Sequence, residues 1–467
     1  MFKLSFIYIG SFCFILSLLS FFNIIYSYYF EILYNIEVYT YTIIVSLVFS
    51  SLFFLKKNEF KKISIYEKII SVVLGYLILP LIISIPYYFG LSYLSFIDSY
   101  FEAVSGFTST GFSIFDNVKY LDQSLLLWRS TSQWFGGLYF LISILFLIDI
   151  YDENYKKILK NFISLDINEI IKQSTKILFV YTSITLLLFI LYKIINLRSF
   201  DAFNLSLTII SSGGFLTVNN ISEILQSNYQ IYIFSLSILI SFFGILLPYN
   251  ILFLKKKDLM VFTEDYYLLI YLIFLVALFF IFFNQENNFS VTLFSLASSI
   301  SNIGFSFDVN NKNNFIFLIL VIIGGSLVST SSGLRFLKIY LLTKFSFNEL
   351  VSHAKPKHVL LNKVLFSKVK INLMDINKYF FTVIIFILSL SSLVILLTLF
   401  NIKFDAAFKL GILTLMNTVN SSLYGLENIN FSELSINLKY ILIIFMIIGR
   451  IEFISVLILI KKFVFKN

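Results

Sequence analysis

Ten apolar runs, each about as long as a helix must be to cross a bilayer, alternate with shorter polar stretches along the chain. They are Leu4 to Tyr29, Val38 to Leu55, Lys68 to Leu94, Leu125 to Ile148, Ile177 to Ile195, Ile231 to Phe253, Tyr266 to Phe283, Phe315 to Leu342, Tyr379 to Phe400 and Leu438 to Ile460. The first follows Lys3 but has no small-residue cleavage site, so it reads as a span and not as a secretory leader. Between the later spans the same short text recurs: Phe101 to Ser113 (FEAVSGFTSTGFS), Phe203 to Thr217 (FNLSLTIISSGGFLT), Phe294 to Ser306 (FSLASSISNIGFS), and a weaker copy from Phe408 to Gly425. In the first three, a phenylalanine stands ten residues before a glycine set among Ser, Thr and Asn: Phe101 and Gly111, Phe203 and Gly213, Phe294 and Gly304. Recurrence at such an interval marks repeated structural units.

Each patch is preceded by a stretch too short to span, for example Ser99 to Thr108. The pattern predicts a helix that stops at mid-membrane, a turn, and an extended return. The fold class expected is an all-α polytopic membrane protein with four membrane-loop-membrane repeats around one pore. Two extra transmembrane helices in residues 1–60 precede repeats at 61–165, 166–258, 259–350 and 351–467.

Composition agrees. Hydrophobic residues make up 58% of the chain and charged residues 13%, with a mean hydropathy of +0.90, which excludes a soluble domain of this length. The basic segments Lys56 to Lys68, Tyr151 to Lys176, Lys255 to Lys257, Lys344 to Lys378 and the tail with Lys461, Lys462 and Lys466 are separated by pairs of spans. All therefore fall on one side, which the positive-inside rule makes the cytoplasm. Both termini are expected there and every glycine patch on the outer side. The net charge of +9 is then accounted for by topology and by attraction to anionic membrane lipid, with no nucleic-acid partner. Cys13 stands alone, which excludes a disulfide framework. His353 and His358 lie in a lysine-rich loop with no metal-ligand cluster around them.

A broken helix whose chain climbs back out presents backbone carbonyls to a cavity, and carbonyls can replace the water shell of an alkali cation. Glycine allows the positive φ this needs, and Ser and Thr add hydroxyl oxygens. One such string alone reads equally as a helix-packing face; four in register make packing a poor explanation. Asp98, Glu102, Asp116, Asp201, Asp308 and Asp405 sit at or beside the patches, where they either steer cations towards a vestibule or simply solvate loops. An arginine inside an apolar span, such as Arg450, is costly unless it finds acceptors or water. Arg335 and Arg129, nearer to helix ends, are expected to snorkel to the interface, with support of the pore as the alternative for Arg129.

The chain resembles the membrane subunit of the Trk/Ktr/HKT superfamily of potassium transporters, in its TrkH-like branch. The resemblance rests on FEAVSGFTSTGF at Phe101 to Phe112, WRSTSQWFGG at Trp128 to Gly137, SSGGF at Ser211 to Phe215, IGGSLVSTSSGLRF at Ile323 to Phe336 and GRIEFISVLIL at Gly449 to Leu459. It implies a selectivity filter at Thr110 and Gly111, Ser212 and Gly213, Ile303 and Gly304, and Val419 and Asn420, holding K+ (or Na+) by backbone carbonyls. In the fourth repeat, reading Thr418-Val419-Asn420 against a Thr-Val-Gly pattern puts Asn420 where glycine belongs, whereas the spacing from Phe408 suits Thr418. The resemblance also implies an intramembrane gate in Gly324, Gly325, Ser329, Thr330 and Gly333, with Arg450 facing the pore as its electrostatic partner. Glu452 lies too near Arg450 in sequence to share its helix face. The family works as a homodimer with a cytosolic nucleotide-binding regulatory subunit (TrkA/KtrA-like), while this chain has no phosphate-binding loop and needs no cofactor.

The function expected is potassium uptake across a bacterial cytoplasmic membrane, with a sodium-permeable transporter and a non-conducting sensor as alternatives. A membrane-embedded enzyme is disfavoured by the scarcity of histidine and the scatter of acids.

Overall fold

The computed structural model describes residues 5–54, 65–147, 167–245, 248, 263–283, 289–307, 314–354, 373–426 and 429–451. The two leading helices, α1 (Ser5–Tyr29) and α2 (Leu33–Phe54), pack on each other as a hairpin. Six of the described helices are long and apolar enough to cross a membrane. Those on the outside leave large apolar side chains uncovered, among them Leu187, Ile273, Phe274, Ile387 and Leu388, as a lipid-facing surface requires.

Repeat one runs from α3 (Ile65–Ile83) and α4 (Ile85–Gly90) to α5 (Phe96–Phe107) and α6 (Gln123–Phe146). The break between α3 and α4 follows from Pro86, which has no N–H to give to the preceding turn. From Ser124 to Phe146, α6 is buried at every position, so it is the inner helix of the repeat. Repeat two has α7 (Ile167–Ile194), α8 (Ser199–Ile210) and α9 (Asn228–Ile238). The span expected from Ile231 to Phe253 is shorter in its described part: α9 stops at Ile238 and passes through a 3-10 turn over Leu239–Ser241.

Repeat three has α10 (Thr263–Phe283), α11 (Phe289–Ile300) and α12 (Asn314–Ile322), and then departs from helix. Residues Ile323–Gly324 (β1) pair in parallel with Leu334–Arg335 (β2), and α13 (Phe336–Ala354) resumes. The expected span Phe315 to Leu342 is thus interrupted, at the run of small polar residues. Repeat four has α14 (Leu373–Leu399), α15 (Phe404–Leu415) and α16 (Ile436–Arg450).

Candidate ion path

The short helices α5, α8, α11 and α15 are each 12 residues long. At 1.5 Å per residue this is about 18 Å, roughly half a bilayer with its interfaces. All four end in the same way. The residue two beyond the helix takes a left-handed φ: Ser109 (58°), Ser212 (55°), Asn302 (59°) and Asn417 (47°). Its N–H bonds back three residues, to Gly106, Ile209, Ser299 and Thr414, and the next N–H bonds back five, from Thr110 to Ser105 O (2.9 Å), Gly213 to Thr208 O (2.8 Å), Ile303 to Ser298 O (3.0 Å) and Thr418 to Leu413 O (2.9 Å). This is the Schellman termination, made with Ser and Asn in place of glycine.

The shared cap fixes which residues are equivalent. Thr110, Gly213, Ile303 and Thr418 occupy one level; Gly111, Gly214, Gly304 and Val419 occupy the next. The sequence register therefore holds in repeats one and three and shifts by one in the other two. In repeat two, Ser212 is the cap residue and Gly213 packs on Gln133, whose Oε1 is 2.3 Å from where a Cβ on Gly213 would lie; Gly214 takes the place expected for Gly213. In repeat four, Val419 takes the place expected for Asn420, which instead aligns with Phe112, Phe215 and Phe305. In repeat two the physical reason is that Phe101 and Phe294 lie six residues before their helix ends while Phe203 lies seven before its own. In repeat four Phe408 also lies seven before the helix end, so its spacing falls one residue short at Thr418, and the Thr-Val-Gly pattern falls one residue beyond at Asn420.

The Gly111 level converges on one point. A Cβ on Gly111 would lie 2.3 Å from Val419 Cγ2 and 3.1 Å from Gly214 Cα; one on Gly214 would lie 1.6 Å from Val419 Cγ2; one on Gly304 would lie 2.7 Å from Val419 O. Just outside this ring, hydroxyls of the short helices hold the next carbonyls: Ser105 Oγ donates to Phe112 O (2.6 Å), Thr208 Oγ1 to Phe215 O (3.2 Å) and Ser298 Oγ to Phe305 O (2.9 Å). Leu413 stands at that position in repeat four and has no hydroxyl. Side chains of the cap layer tie the repeats together. Ser212 Oγ donates to Ser301 O, Asn302 Nδ2 to Thr418 Oγ1 (3.3 Å) and Asn417 Nδ2 to Thr110 Oγ1 (2.9 Å).

On one side of the ring lies a cavity of about 420 Å3, lined by the ring and by Phe112, Phe215, Phe305, Asn420 and Asp116. Of the acidic residues expected to steer cations, only Asp116 lines it among those described. Asp98 pairs with Lys439 (2.6 Å), Asp201 with Arg198 (2.8 Å) and Asp405 with Lys409 (2.7 Å). Glu102 is fully buried and forms an ion pair with Arg129 (2.9 Å), while also accepting from Ile114 N (3.0 Å). Arg129 does not snorkel. It is 2% exposed, bonds Ser113 Oγ (3.0 Å) and Leu216 O (3.3 Å), and stacks over Phe215 (4.1 Å). Asp308, Glu452, His358 and most of the basic segments (56–64, 151–166, 255–257, 355–372 and 461–466) lie outside the described residues.

On the other side of the ring, the segment from Gly324 to Gly333 crosses beneath it. Gly333 has φ 83°, and the backbone crowds Gly324 and Gly325 so closely that a Cβ would lie 2.1 Å from Ser332 O and 2.2 Å from Phe242 O. Thr330 Oγ1 donates to Ile210 O (2.8 Å), the C-terminal carbonyl of α8, and Ser331 N to Ser241 O (3.2 Å). Ser329 Oγ lies 3.0 Å from Ser331 Oγ. Glu264 accepts from Leu327 N (2.9 Å). Arg450 bonds Ser332 Oγ (2.6 Å) and reaches Ser109 Oγ (3.5 Å), and its guanidinium lies over Phe140 (4.2 Å). The opposite face of expectation is met at Arg335, which is buried, donates to Ser326 O (3.1 Å) and Ser331 O (2.9 Å), and also sits over Phe140 (5.1 Å). Arg129 and Arg335 were the site residues hardest to place from sequence; the signal for both was an arginine bordered by apolar runs.

No family model matches the chain. It is 24% identical to an uncharacterized cation transporter of Methanocaldococcus jannaschii over 94% of this chain and 91% of that protein. It is 25% identical to the Trk system potassium uptake protein TrkH of Salmonella typhimurium over 90% of each, and 24% identical to TrkG of Escherichia coli over 80% of each. Its fold superposes on the crystal structure of the potassium transporter TrkH from Vibrio parahaemolyticus with a TM-score of 0.80, at 21% identity, covering 97% of this chain and 98% of that one. These relatives are named as transporters and not as enzymes. The chain is thus TrkH-like, resembling the Trk/Ktr/HKT superfamily along nine-tenths of its length and sharing the TrkH fold.

Proposed function

We propose that the chain takes up potassium across the cytoplasmic membrane of a bacterium through one pore, with the ring of Gly111, Gly214, Gly304 and Val419 as its filter. The observation that carries this reading is the convergence of four identically capped half-helices on that ring. Each directs the negative end of its helix dipole, about half an elementary charge, at the same point. Four such ends favour a monovalent cation, and the neighbouring carbonyls supply the oxygens that replace its water. The potassium-uptake names of the relatives support the choice of ion.

The segment Gly324 to Gly333 acts as the gate in this reading, with Thr330 held on the α8 carbonyl and Arg450 holding Ser332. Arg450 places a positive charge on the path below the filter. Inward movement draws on the membrane potential, about 2.3 kcal/mol per charge per 100 mV. Division into repeats at 61–165, 166–258, 259–350 and 351–467, cytoplasmic termini, a homodimer and a nucleotide-binding regulatory subunit on the basic segments complete the proposal. The test is rubidium and sodium uptake by the purified protein in liposomes under an imposed negative-inside potential. Rubidium entry well above sodium is expected; equal entry of both favours the sodium-permeable reading, for which the missing fourth glycine is the motive.

A further inference from the structure

We infer that Val419 is the residue that limits conduction: its isopropyl group closes the ring, and a cation passes only when the fourth strand moves it aside. The inference rests on the ring being the filter. Three of the four equivalent positions are glycine, and the space that the missing side chains of Gly111 and Gly214 leave is taken by Val419 Cγ2, while Gly304 lies against the Val419 backbone. A methyl group has no lone pair, so a cation at this level loses water without gaining an oxygen from that wall, and hydrophobic constrictions of this kind close pores.

The backbone permits this substitution without strain. Gly111 and Gly304 take φ of 78° and 87°, which valine tolerates poorly, whereas position 419 is outside the left-handed region. Valine is also stiff at χ1, so clearing the ring by side-chain rotation alone is disfavoured and the strand itself has to shift. Repeat four is the one fitted to shift. The hydroxyl brace from the short helix to the strand, present at Ser105, Thr208 and Ser298, is replaced by the apolar Leu413, and among the described residues the strand is held at this level by the long bond from Val419 N to Ile303 O (3.4 Å). The fourth strand is then a mobile wall of the filter, in series with the gate beneath, and the ligand it admits is a dehydrated alkali cation.

The experiment compares radioactive rubidium uptake into liposomes and equilibrium rubidium binding to purified protein for wild type, Val419→Gly and Val419→Ala. Val419→Gly is expected to raise uptake about tenfold, equivalent to ~1.4 kcal/mol of barrier, with Val419→Ala between. Melting temperature in detergent checks that each variant folds, and Val419→Ala serves should the glycine variant fail. Measurable uptake that is the same for all three overturns the role of Val419 and leaves the transport reading standing. Neither uptake nor binding in any of them overturns both.

Discussion

Removing Glu102 tests the support of the ring directly. Its carboxylate is fully buried, accepts from Ile114 N (3.0 Å) and Ser113 Oγ (3.3 Å), and pairs with the equally buried Arg129 (2.9 Å). Glu102→Ala takes away those three bonds and leaves a guanidinium in a site whose remaining acceptors are Ser113 Oγ and Leu216 O. Breaking a buried pair by removing one partner costs about 3–5 kcal/mol. Arg129→Ala costs a similar amount, since the stacking on Phe215 (4.1 Å) adds ~1–2 kcal/mol while Glu102 keeps the Ile114 bond.

The double variant Glu102→Ala, Arg129→Ala removes both charges and is expected to be less destabilised than the sum of the single variants by ~1–3 kcal/mol. Equilibrium unfolding in mixed micelles with a denaturing detergent measures all three against wild type. Selectivity separates support from simple stability. The pair holds Ser113 and Ile114, two and three residues after Gly111, so the folded double variant should pass rubidium with less preference over sodium even where its stability recovers. A coupling energy below ~0.5 kcal/mol, or a double variant with wild-type selectivity, would refute the claim that this pair positions the first filter strand.

Three further outcomes follow from contacts elsewhere. A Cβ on Gly136 would lie 1.9 Å from Phe107 O and one on Gly449 2.3 Å from Leu415 O, so Gly136→Ala and Gly449→Ala should each lower the melting temperature and abolish uptake, whereas Gly90→Ala, with 3.9 Å to its nearest neighbour, should change neither. Thr330→Val removes the bond to Ile210 O (2.8 Å), worth about 1 kcal/mol; uptake should rise roughly fivefold, and an unchanged rate would show that this bond does not hold the gate. Thr208→Val and Ser298→Ala free the carbonyls of Phe215 and Phe305, and rubidium-to-sodium uptake ratios should fall with total uptake maintained.

Much of the architecture was legible because the bilayer imposes it. A run such as Tyr379 to Phe400 has few structural options in hydrocarbon, and α14 (Leu373–Leu399) forms there. The interruption of the eighth run was legible for the same reason: Gly324 to Gly333 is too polar and too rich in small residues to remain helical at that depth. What the text could not give was register at the level of one residue. Phe203 and Phe408 resemble Phe101 in neighbourhood, but the feature that sets the strand is the left-handed cap residue, and in repeats one to four this is Ser, Ser, Asn and Asn, with no invariant letter to find. Nor could the text show that Glu102 and Arg129, 27 residues apart, meet under the strand; a charge near an outer loop reads first as solvated.

The cap layer also explains how the fourth repeat can lose its glycine and keep its place. The side chains that join the repeats, Ser212 to Ser301, Asn302 to Thr418 and Asn417 to Thr110, all start from a cap residue and reach no higher than the level just beneath the ring. Asn417 further donates to Met446 O (2.9 Å) and Asn302 to Val321 O (2.8 Å), which anchors the caps to the inner helices α16 and α12. Geometry at the ring is therefore inherited from the layer below it and does not depend on glycine at every ring position. Where φ is left-handed, at Gly111 and Gly304, the backbone itself demands glycine. At Gly214 the demand comes from space, since a Cβ there would overlap Val419 Cγ2, and at position 419 neither φ nor crowding by the backbone asks for glycine, so a side chain there is accommodated at the centre. Backbone conformation thus sets the residue at Gly111 and Gly304 and leaves it open at position 419, so Val419→Gly alters the centre of the ring without altering the turn that builds it.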